Sequence, residues 1–365
     1  MAEHRAAGPT SAQLLHHGDA EVRGSGLLDL AVNVHPHGPP AFLREALEAS
    51  VADVAAYPDA GPAERALATH HGRFPEEVLA TAGATEAFTL LARLRPWRCP
   101  VVVHPQFTEP HAALVQAGHE VRTVLLSPGD TLGSASVPEE ADLVVLGNPT
   151  NPTGTLHPRA EVAALVRPGR LVVVDEAFMD ALPGEPESWV GRRHDGLVVV
   201  RSLTKSWAVP GVRAGYLVGD PVTVSALRAV RPPWTFSAAA SATVHAVTSA
   251  RGLREQRRRA RELQQWRVDL QDLLLSCGVP FVPSVAPFVL ARPGVGAHEH
   301  LREQGIAVRR CDTFPGLGPE WVRVAARPRA VLAPLGDVLA GLSPGGCPAA
   351  SAPPPGRDPR RARRG

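Results

Sequence analysis

Lysine is almost absent from this 365-residue sequence: Lys205 is the only one, and every other member of the 38 lysines plus arginines is arginine. Arginine supplies the same positive charge, but it stays protonated in proteins and cannot attack a carbonyl carbon. Chance survival of one lysine is one explanation. A need for a primary amine, as in Schiff-base chemistry, is the other, and the neighbouring residues favour it.

Cysteine is scarce too, and the four cysteines are widely separated, at Cys99, Cys277, Cys311 and Cys347. Without a CxxC pair they predict neither a zinc site nor a disulfide framework, so no metal site is expected. The sequence also lacks an N-terminal apolar segment of signal-peptide length and any long uninterrupted apolar run. These absences predict a cytoplasmic protein without a membrane partner.

Net charge is small as well, at +2, which argues against a nucleic-acid partner. The basic run Arg257 to Arg259 falls in a predicted long helix together with Glu255 and Glu262, and we interpret it as a solvated helix face. Residues 343–365 are low-complexity and basic, which predicts a disordered tail.

The lysine lies in the segment VVVRSLTKSWAVPGVRAGY, where an apolar run ends in a turn. Ser202 and Arg213 flank Lys205 at spacings suited to binding an anion. The pattern SLTKxxxxPGxRxGY resembles the lysine motif of fold type I pyridoxal-phosphate enzymes, the aminotransferase class I/II group. Over roughly residues 15 to 342, this resemblance implies that pyridoxal 5'-phosphate binds to Lys205 as an imine.

A second stretch, TAGATEAF, places small residues before a predicted helix. Free backbone N–H groups and the helix dipole make such a helix start an anion site, although the pattern alone is more typical of an ordinary helix cap. Together with the lysine motif, Gly83, Ala84 and Thr85 are predicted to form one wall of a phosphate-binding cup.

Two apolar strands end in polar residues, at LGNPTNPTG and VVVDEAF. An aspartate at the carboxyl end of a buried parallel strand lies where open α/β sheets bind ligands, which favours a functional Asp175 over a helix cap. The resemblance implies that Asp175 keeps the pyridine nitrogen protonated, so that the ring is an electron sink. It assigns Asn151 to the phenolic oxygen, and Asp175 and Lys205 to catalysis.

The resemblance also assigns two aromatic residues to the cofactor. Phe107, after the strand CPVVVHPQF, matches a ring that stacks on the pyridine, and a core phenylalanine is the alternative. Tyr57 matches a hydroxyl that reaches the cofactor phosphate of the partner subunit, and a packing role is the alternative. The second assignment implies a homodimer with shared active sites.

Substrate-binding residues are predicted from both ends of the chain. The stretches HGD and NVHPHGPP resemble the threonine-phosphate decarboxylase branch, close to the histidinol-phosphate aminotransferases, and this resemblance assigns His17 and Asn33 to the substrate. Composition alone favours turn residues and solvated loop histidines there. Arg309 and Arg323 match arginines that bind carboxylate and phosphate. We expect Arg309, His17 and Asn33 to bind the phosphate, and Arg323 the carboxylate.

Several positions separate this chain from the branch it resembles. Asp19 stands where a second glycine is usual, His35 where a second asparagine is usual, and Pro110 where a tyrosine is usual. In favour of the decarboxylase branch are Phe178, which lacks the hydroxyl of many aminotransferases, and the stretches PPW and CDTFPGLG.

Strands alternate with helices between residues 75 and 220, which predicts an α/β fold with a mostly parallel sheet covered on both faces. The resemblance implies the fold type I architecture, with a large seven-stranded sheet domain and a small α+β domain. The expected boundaries are an N-terminal arm and part of the small domain at 1–48, the cofactor domain at 49–249 and the C-terminal small domain at 250–342.

Three functions fit these residues. The favoured one is decarboxylation of a small phosphorylated amino acid, L-threonine O-3-phosphate, in cobalamin biosynthesis. The second is transamination of the histidinol-phosphate type. The third is a non-catalytic regulator that binds the cofactor, and it is disfavoured because the catalytic set looks complete and no added DNA-binding domain is evident.

Overall fold

Apolar strands from the middle of the chain pair into one seven-stranded sheet, which positions the predicted site. The computed structural model describes residues 9–341. The described strands, in chain order, are β1 (Leu28–Asp29), β2 (Val78–Thr81), β3 (Pro100–His104), β4 (Arg122–Leu125), β5 (Leu143–Gly147), β6 (Leu171–Asp175), β7 (Leu197–Ser202), β8 (Gly215–Val218), β9 (Phe281–Val282), β10 (Phe288–Ala291), β11 (Ile306–Ala307), β12 (Arg309–Arg310) and β13 (Val322–Ala325). The described α-helices are α1 (Ser11–Leu14), α2 (Ala41–Ala49), α3 (Gly61–His71), α4 (Ala84–Arg93), α5 (Glu109–Gln116), α6 (Arg159–Ala164), α7 (Pro221–Val230), α8 (Ala238–Thr248), α9 (Ala250–Ser276), α10 (Ala297–Glu303) and α11 (Arg329–Ala340).

The large sheet has the strand order β2-β8-β7-β6-β5-β3-β4, and β8 runs antiparallel to both of its neighbours. Strand β6 is buried throughout, with Val172 and Val174 packed on one face and Val173 on the other. A strand covered on both faces needs apolar side chains at successive positions, and the sequence LVVVD supplies them. The predicted α/β fold with a mostly parallel seven-stranded sheet is confirmed.

Residues from both chain ends share a second core. The strands β12-β13-β10-β9 form an antiparallel sheet, and β1 pairs in parallel with β11. Leu30, just after β1, packs in one cluster with Ile306 and Val308. Strands β12 and β13 pair in a register that sets Arg309 directly opposite Arg323. The N-terminal segment therefore lies beside the strands that carry both predicted substrate arginines.

The predicted long helix is α9, but its basic run is not a uniformly solvated face, and this corrects the prediction. Arg258 is half-exposed, as expected. Arg259 is buried and donates hydrogen bonds to the backbone oxygens of Ser206 at 2.8 Å and Gly38 at 2.9 Å. Arg259 is one position further around the helix than Arg258 and faces inward. It therefore ties the segment after Lys205 to α9.

Some of the predictions concern parts of the chain beyond the described residues. The basic tail at 343–365 and Cys347 lie there. Within residues 9–341, Cys99, Cys277 and Cys311 are free thiols. None of the helices found within residues 9–341 combines the length and the apolar character needed to span a bilayer.

Candidate active site

A cavity of about 420 Å³ opens at the carboxyl ends of the central strands β5, β6 and β7. All predicted site residues except Gly83 and Tyr57 line it: His17, Asn33, Ala84, Thr85, Phe107, Asn151, Asp175, Ser202, Lys205, Arg213, Arg309 and Arg323. The position agrees with the rule that open α/β sheets bind ligands outside the carboxyl ends of their strands. Residues far apart in sequence are thus gathered around one lysine.

Lys205 follows β7, and its backbone is held from two directions. Its carbonyl oxygen accepts hydrogen bonds from the backbone N–H groups of His35 at 3.1 Å and Ala208 at 3.2 Å. Burial, with help from the nearby Arg323 and Arg213, lowers the pKa of Lys205 from 10.5 to about 8. A lower pKa leaves more of the amine unprotonated near neutral pH, which is the form that acts as a nucleophile.

An anion-binding cup lies at the start of α4. Gly83, with a φ of +79°, begins the helix, and no side chain caps the first N–H groups. A Cβ atom on Gly83 would lie 2.6 Å from Nη2 of Arg213, and one on Gly215 would lie 2.7 Å from the carbonyl carbon of Gly83 and 2.9 Å from the nitrogen of Ala84. The two glycines therefore let the guanidinium and β8 approach the free amides closely.

Two hydroxyls complete this cup. Ser202 at the end of β7 lies 2.8 Å, oxygen to oxygen, from Thr204, and both side chains are buried and line the cavity. Sequence reasoning missed Thr204, although it stands inside the SLTK motif. Gly83 does not line the cavity itself, and its part is to leave room for Arg213.

Asp175 ends β6 and lines the cavity. Within the described residues, Lys205 is the one cation that influences its pKa noticeably. Its Oδ1 accepts a hydrogen bond of 3.0 Å from the N–H of Ala177. Burial raises the pKa of Asp175 from 3.8 to about 7, against the opposing effects of that hydrogen bond and of Lys205. A buried carboxylate is stabilised by a cationic partner, and a protonated ring nitrogen would be one.

These groups fit the cofactor that the lysine motif implies. The uncapped helix start, the Ser202 and Thr204 hydroxyls and Arg213 match the needs of a phosphate. Lys205 supplies an amine, and Asp175 supplies a buried carboxylate for a protonated ring nitrogen. The arrangement can hold a phosphorylated pyridine between the cup and the end of β6.

The two arginines predicted to bind substrate lie side by side because β12 and β13 pair at these positions. Arg309 donates to the backbone oxygen of His16 at 2.7 Å and to the hydroxyl of Thr313 at 2.8 Å. Arg323 donates to the backbone oxygen of Ala31 at 2.6 Å. Both are buried, and neither forms an ion pair with a carboxylate within residues 9–341.

Burial lowers the pKa of Arg323 to about 9, and the neighbouring Arg309 contributes; burial likewise lowers the pKa of Arg309. Bringing two guanidinium groups together in a buried place costs free energy unless anions compensate them. The pair is therefore a strong candidate for binding anionic groups of a substrate.

Both asparagines predicted for the site, Asn33 and Asn151, form hydrogen bonds with Arg323. Asn151 accepts a hydrogen bond from its Nη1 at 2.6 Å, and the amide oxygen of Asn33, oriented towards the guanidinium, accepts from Nε and Nη1 at 3.1 Å each. The sequence predicts Asn33 beside Arg309, whereas the structure places it against Arg323. The side chain of Asn148, the other asparagine of NPTNPTG, bonds to its own turn at His157.

His17 is held by a residue that sequence reasoning did not select. Its Nε2 lies 2.5 Å from Oε1 of Glu109 at the start of α5, and its ring lies 5.5 Å from that of Phe107. The glycine of the HGD stretch also has a physical reason, because a Cβ on Gly18 would lie 2.8 Å from the backbone oxygen of Ala31 and 3.3 Å from Nη2 of Arg323. In the sequence, only the HG pair indicated that this segment contributes to the site.

Tyr57 lies outside the cavity of its own chain. The residue is 80 % exposed, and its ring lies 4.6 Å from the ring of Trp234, which is itself 60 % exposed. An exposed aromatic pair on the surface fits a role across a subunit interface, and that role stays a prediction.

Comparisons with known proteins agree with this geometry. Residues 25–335 match the family described as aminotransferase class I and II. A histidinol-phosphate aminotransferase of Mycobacterium tuberculosis is 42 % identical over 318 residues, which cover 86 % of this chain and 87 % of that protein. The threonine-phosphate decarboxylase of Salmonella typhimurium is 32 % identical over 343 residues, which cover 87 % of this chain and 93 % of that protein.

The fold is also found among solved structures. The histidinol-phosphate aminotransferase of Sinorhizobium meliloti, solved in complex with pyridoxal-5'-phosphate, superposes with a TM-score of 0.78 at 22 % sequence identity. The match covers 93 % of this chain and 98 % of that one. At this identity the likeness establishes the fold, and it agrees with the predicted fold type I architecture.

Proposed function

We propose that this chain, which belongs to the aminotransferase class I and II family, decarboxylates L-threonine O-3-phosphate. The protein is an enzyme, and its cofactor is pyridoxal 5'-phosphate. When bound, this cofactor supplies an electron sink for the bond that breaks at the α-carbon of the substrate. The products are carbon dioxide and (R)-1-aminopropan-2-yl phosphate, an intermediate of cobalamin biosynthesis.

The observation that carries this proposal is the buried pair of Arg309 and Arg323, which lacks a carboxylate partner within residues 9–341. L-Threonine O-3-phosphate brings a phosphate and a carboxylate on one small molecule, so a single substrate satisfies both guanidinium groups. Histidinol phosphate brings only the phosphate.

Orientation decides which bond breaks. We assign the phosphate to Arg309 with His17, and the carboxylate to Arg323, which Asn33 and Asn151 hold in place. The carboxylate must be turned so that its bond to the α-carbon stands perpendicular to the conjugated system. That bond then breaks, carbon dioxide leaves, and the electron pair remains at the α-carbon.

The two residues assigned to catalysis, Lys205 and Asp175, act on protons. After carbon dioxide has left, the ammonium group of Lys205 donates a proton to the α-carbon, and its pKa of about 8 suits it to this exchange. Asp175 holds a proton on the ring nitrogen through its buried carboxylate. The cup formed by Gly83, Ala84, Thr85, Ser202 and Arg213 fixes the cofactor phosphate, and Phe107 covers the ring.

The second candidate is transamination of histidinol phosphate, and the 42 % identity to a histidinol-phosphate aminotransferase favours it. In that reaction Lys205 takes a proton from the α-carbon instead of giving one. The arginine pair would then serve the two carboxylates of the amino acceptor, 2-oxoglutarate.

One assay separates the two functions. Purified enzyme with cofactor receives O-phospho-L-threonine in one reaction, and histidinol phosphate with 2-oxoglutarate in another. Carbon dioxide from the first reaction without glutamate from the second is the expected result. Glutamate formation alone would overturn the decarboxylase proposal in favour of the aminotransferase.

We also propose the organisation that the family resemblance implies. An arm and part of the small domain at 1–48, a cofactor domain at 49–249 and a small domain at 250–342 agree with the separate sheets and cores. A cytoplasmic location is part of the same proposal. The exposed Tyr57 supports a homodimer in which this residue reaches the cofactor phosphate of the partner subunit.

A further inference from the structure

Two histidines of the stretch NVHPHGPP meet a glutamate of α9 outside the cavity of the active site. His35 and His37 lie on the loop after β1, and Glu262 lies in the middle of α9. One nitrogen from each ring and one carboxylate oxygen lie within 4.8 Å of one another. Nε2 of His35 and Oε2 of Glu262 are 3.6 Å apart.

Two side chains of this group carry buried polar atoms without hydrogen-bond partners. His35 is only 3 % exposed, yet neither of its ring nitrogens forms a hydrogen bond within the described part of the chain. Oε2 of Glu262 is also buried and without a hydrogen-bond partner there, whereas Oε1 of the same carboxylate accepts a hydrogen bond from Arg258. Leaving buried polar atoms unpaired costs free energy, so Nε2 of His35 and Oε2 of Glu262, which face each other at 3.6 Å, indicate a missing ligand between them.

The three side chains are held in place by their surroundings. The ring of Trp266, one helical turn from Glu262, lies 5.3 Å from the rings of both histidines. Arg259 joins the loop to α9 through the backbone oxygen of Gly38. The site is therefore built on a helix and on a loop that is tied to that helix.

We propose that His35, His37 and Glu262 bind a divalent transition-metal ion of the zinc class. Two imidazoles and a carboxylate are a common set of three protein ligands for zinc, whereas magnesium and calcium prefer oxygen ligands alone. With bonds of about 2.1 Å, tetrahedral ligand atoms lie about 3.4 Å apart, close to the His35–Glu262 distance. His37 is exposed, so its ring can rotate to close the site and water can take the fourth position.

Nearby charges permit this binding. Arg258 and Arg259 are the cations that face the site, and both form ion pairs with Glu255. Arg258 also pairs with Oε1 of Glu262, which leaves Oε2 of that carboxylate for the metal ion. Neither arginine donates a hydrogen bond to a ring nitrogen of His35, so that ring remains free to act as a ligand within the described residues.

The metal ion would join the N-terminal segment to α9 directly behind the lysine. His35 is the residue whose backbone N–H binds the carbonyl oxygen of Lys205. The ion is therefore a structural element and takes no part in the reaction at the α-carbon. A single water is the competing ligand, because His35 also borders a cavity of about 10 Å³, which is room for about one water molecule.

The test uses the untagged full-length holoenzyme, stripped with a chelator and titrated with Zn²⁺ against a competing chromophoric chelator. One tightly bound zinc ion per chain is expected, with a rise in melting temperature. His37→Ala and Glu262→Gln should each weaken binding by at least about tenfold, since removing even an outer-shell partner costs 10- to 100-fold. His245→Ala, which removes an exposed histidine from α8, should bind as the parent does.

Cobalt gives a second measurement at the same site. Co²⁺ should produce the intense visible absorption of tetrahedral coordination in the parent and lose it in His37→Ala, a variant of an exposed residue that should fold normally. Failure of the parent to bind Zn²⁺, or equal binding by parent, His37→Ala and Glu262→Gln, overturns the proposal. Either result leaves the proposed decarboxylation untouched.

Discussion

Lys205 is expected to be irreplaceable even by arginine, because the chain has no second lysine to take its place. Lys205→Arg keeps the positive charge, but a guanidinium cannot attack a carbonyl carbon. The purified variant should lack the visible absorbance of bound cofactor, and its turnover should fall by at least about 1,000-fold. Spectra and product assays of parent and variant measure both effects. A coloured, active Lys205→Arg protein would contradict the assignment.

Replacing Asp175 should stabilise the cofactor-free protein while it destroys activity. The folded-state pKa of about 7 lies above the unfolded value of 3.8, so ionisation of this buried carboxyl costs stability as pH rises. Asp175→Asn removes that cost. Its advantage in free energy of unfolding should be absent below about pH 4, grow up to about pH 7, and reach roughly 4 kcal/mol at most.

Melting curves of the cofactor-free parent and Asp175→Asn, taken across this pH range, measure the effect. Turnover of the reconstituted variant should fall to a small fraction of the parent value, because the ring nitrogen loses the carboxylate that holds its proton. Near-parental turnover would show that Asp175 does not serve the ring nitrogen.

Arg323 of the arginine pair can be tested against Arg310, which lies on the neighbouring strand β12. Arg323→Lys keeps a charge but loses the fork that reaches Asn151 and the backbone of Ala31. We expect kcat/KM for the phosphorylated substrate to fall by roughly 100-fold or more, the scale of breaking a buried charged network. Arg310→Gln is the matched control, because Arg310 is partly exposed and pairs with Asp312. Equal losses in both variants would remove the case for a substrate role.

Among the secondary-structure elements, the meeting of β8 with the start of α4 gives the sharpest test. A Cβ on Gly215 would collide with the backbone of Gly83 and Ala84. Gly215→Ala should therefore weaken cofactor binding by at least about tenfold and lower stability by about 1–3 kcal/mol, the cost of overpacking. Gly211→Ala is the control, since no atom lies within 4 Å of a Cβ there. Unchanged cofactor affinity in Gly215→Ala would refute the close approach.

The sequence predicted those elements whose signal is local. The strand LVVVD and the helix α9 carry their own hydrophobic pattern, and the residues of the lysine motif are neighbours along the chain. The site was predictable to the same extent, because Lys205, Ser202 and Asp175 end consecutive parallel strands or follow them directly.

Contacts between distant segments could not be predicted. Asn33 lies against Arg323 because β1 pairs with β11 and β12 with β13, and no short pattern encodes that pairing. In the sequence, the buried Arg259 cannot be distinguished from its exposed neighbour Arg258. Only the packing of α9 determines that one side chain points inward and the other outward. His35 was expected in solvent for the same reason, because the helix that buries it comes more than 200 residues later.

For the whole molecule, we expect a homodimer whose sites need both subunits. Tyr57→Phe should remain a dimer and bind cofactor roughly 10- to 150-fold more weakly, because one hydrogen bond to a charged group contributes about 1.5–3 kcal/mol. Analytical ultracentrifugation measures the assembly, and titration of the cofactor-free protein measures the affinity. A monomer with full activity would rule out the shared site, and a Tyr57→Phe dimer with parental affinity would rule out the hydroxyl contact.

Three arginines near the C-terminal end hold the backbone near the N-terminal end: Arg309 binds the oxygen of His16, Arg323 that of Ala31, and Arg327 that of Val32. During synthesis on the ribosome, Lys205 and the phosphate cup emerge more than 90 residues before Arg309. The cofactor-binding sheet of a nascent chain can thus form before the arginines that hold the N-terminal segment have been synthesised. On the proposed assignment of Arg309 and Arg323 to the substrate, selectivity is acquired last, when the ends of the polypeptide meet, and a prematurely terminated chain has no means of acquiring it.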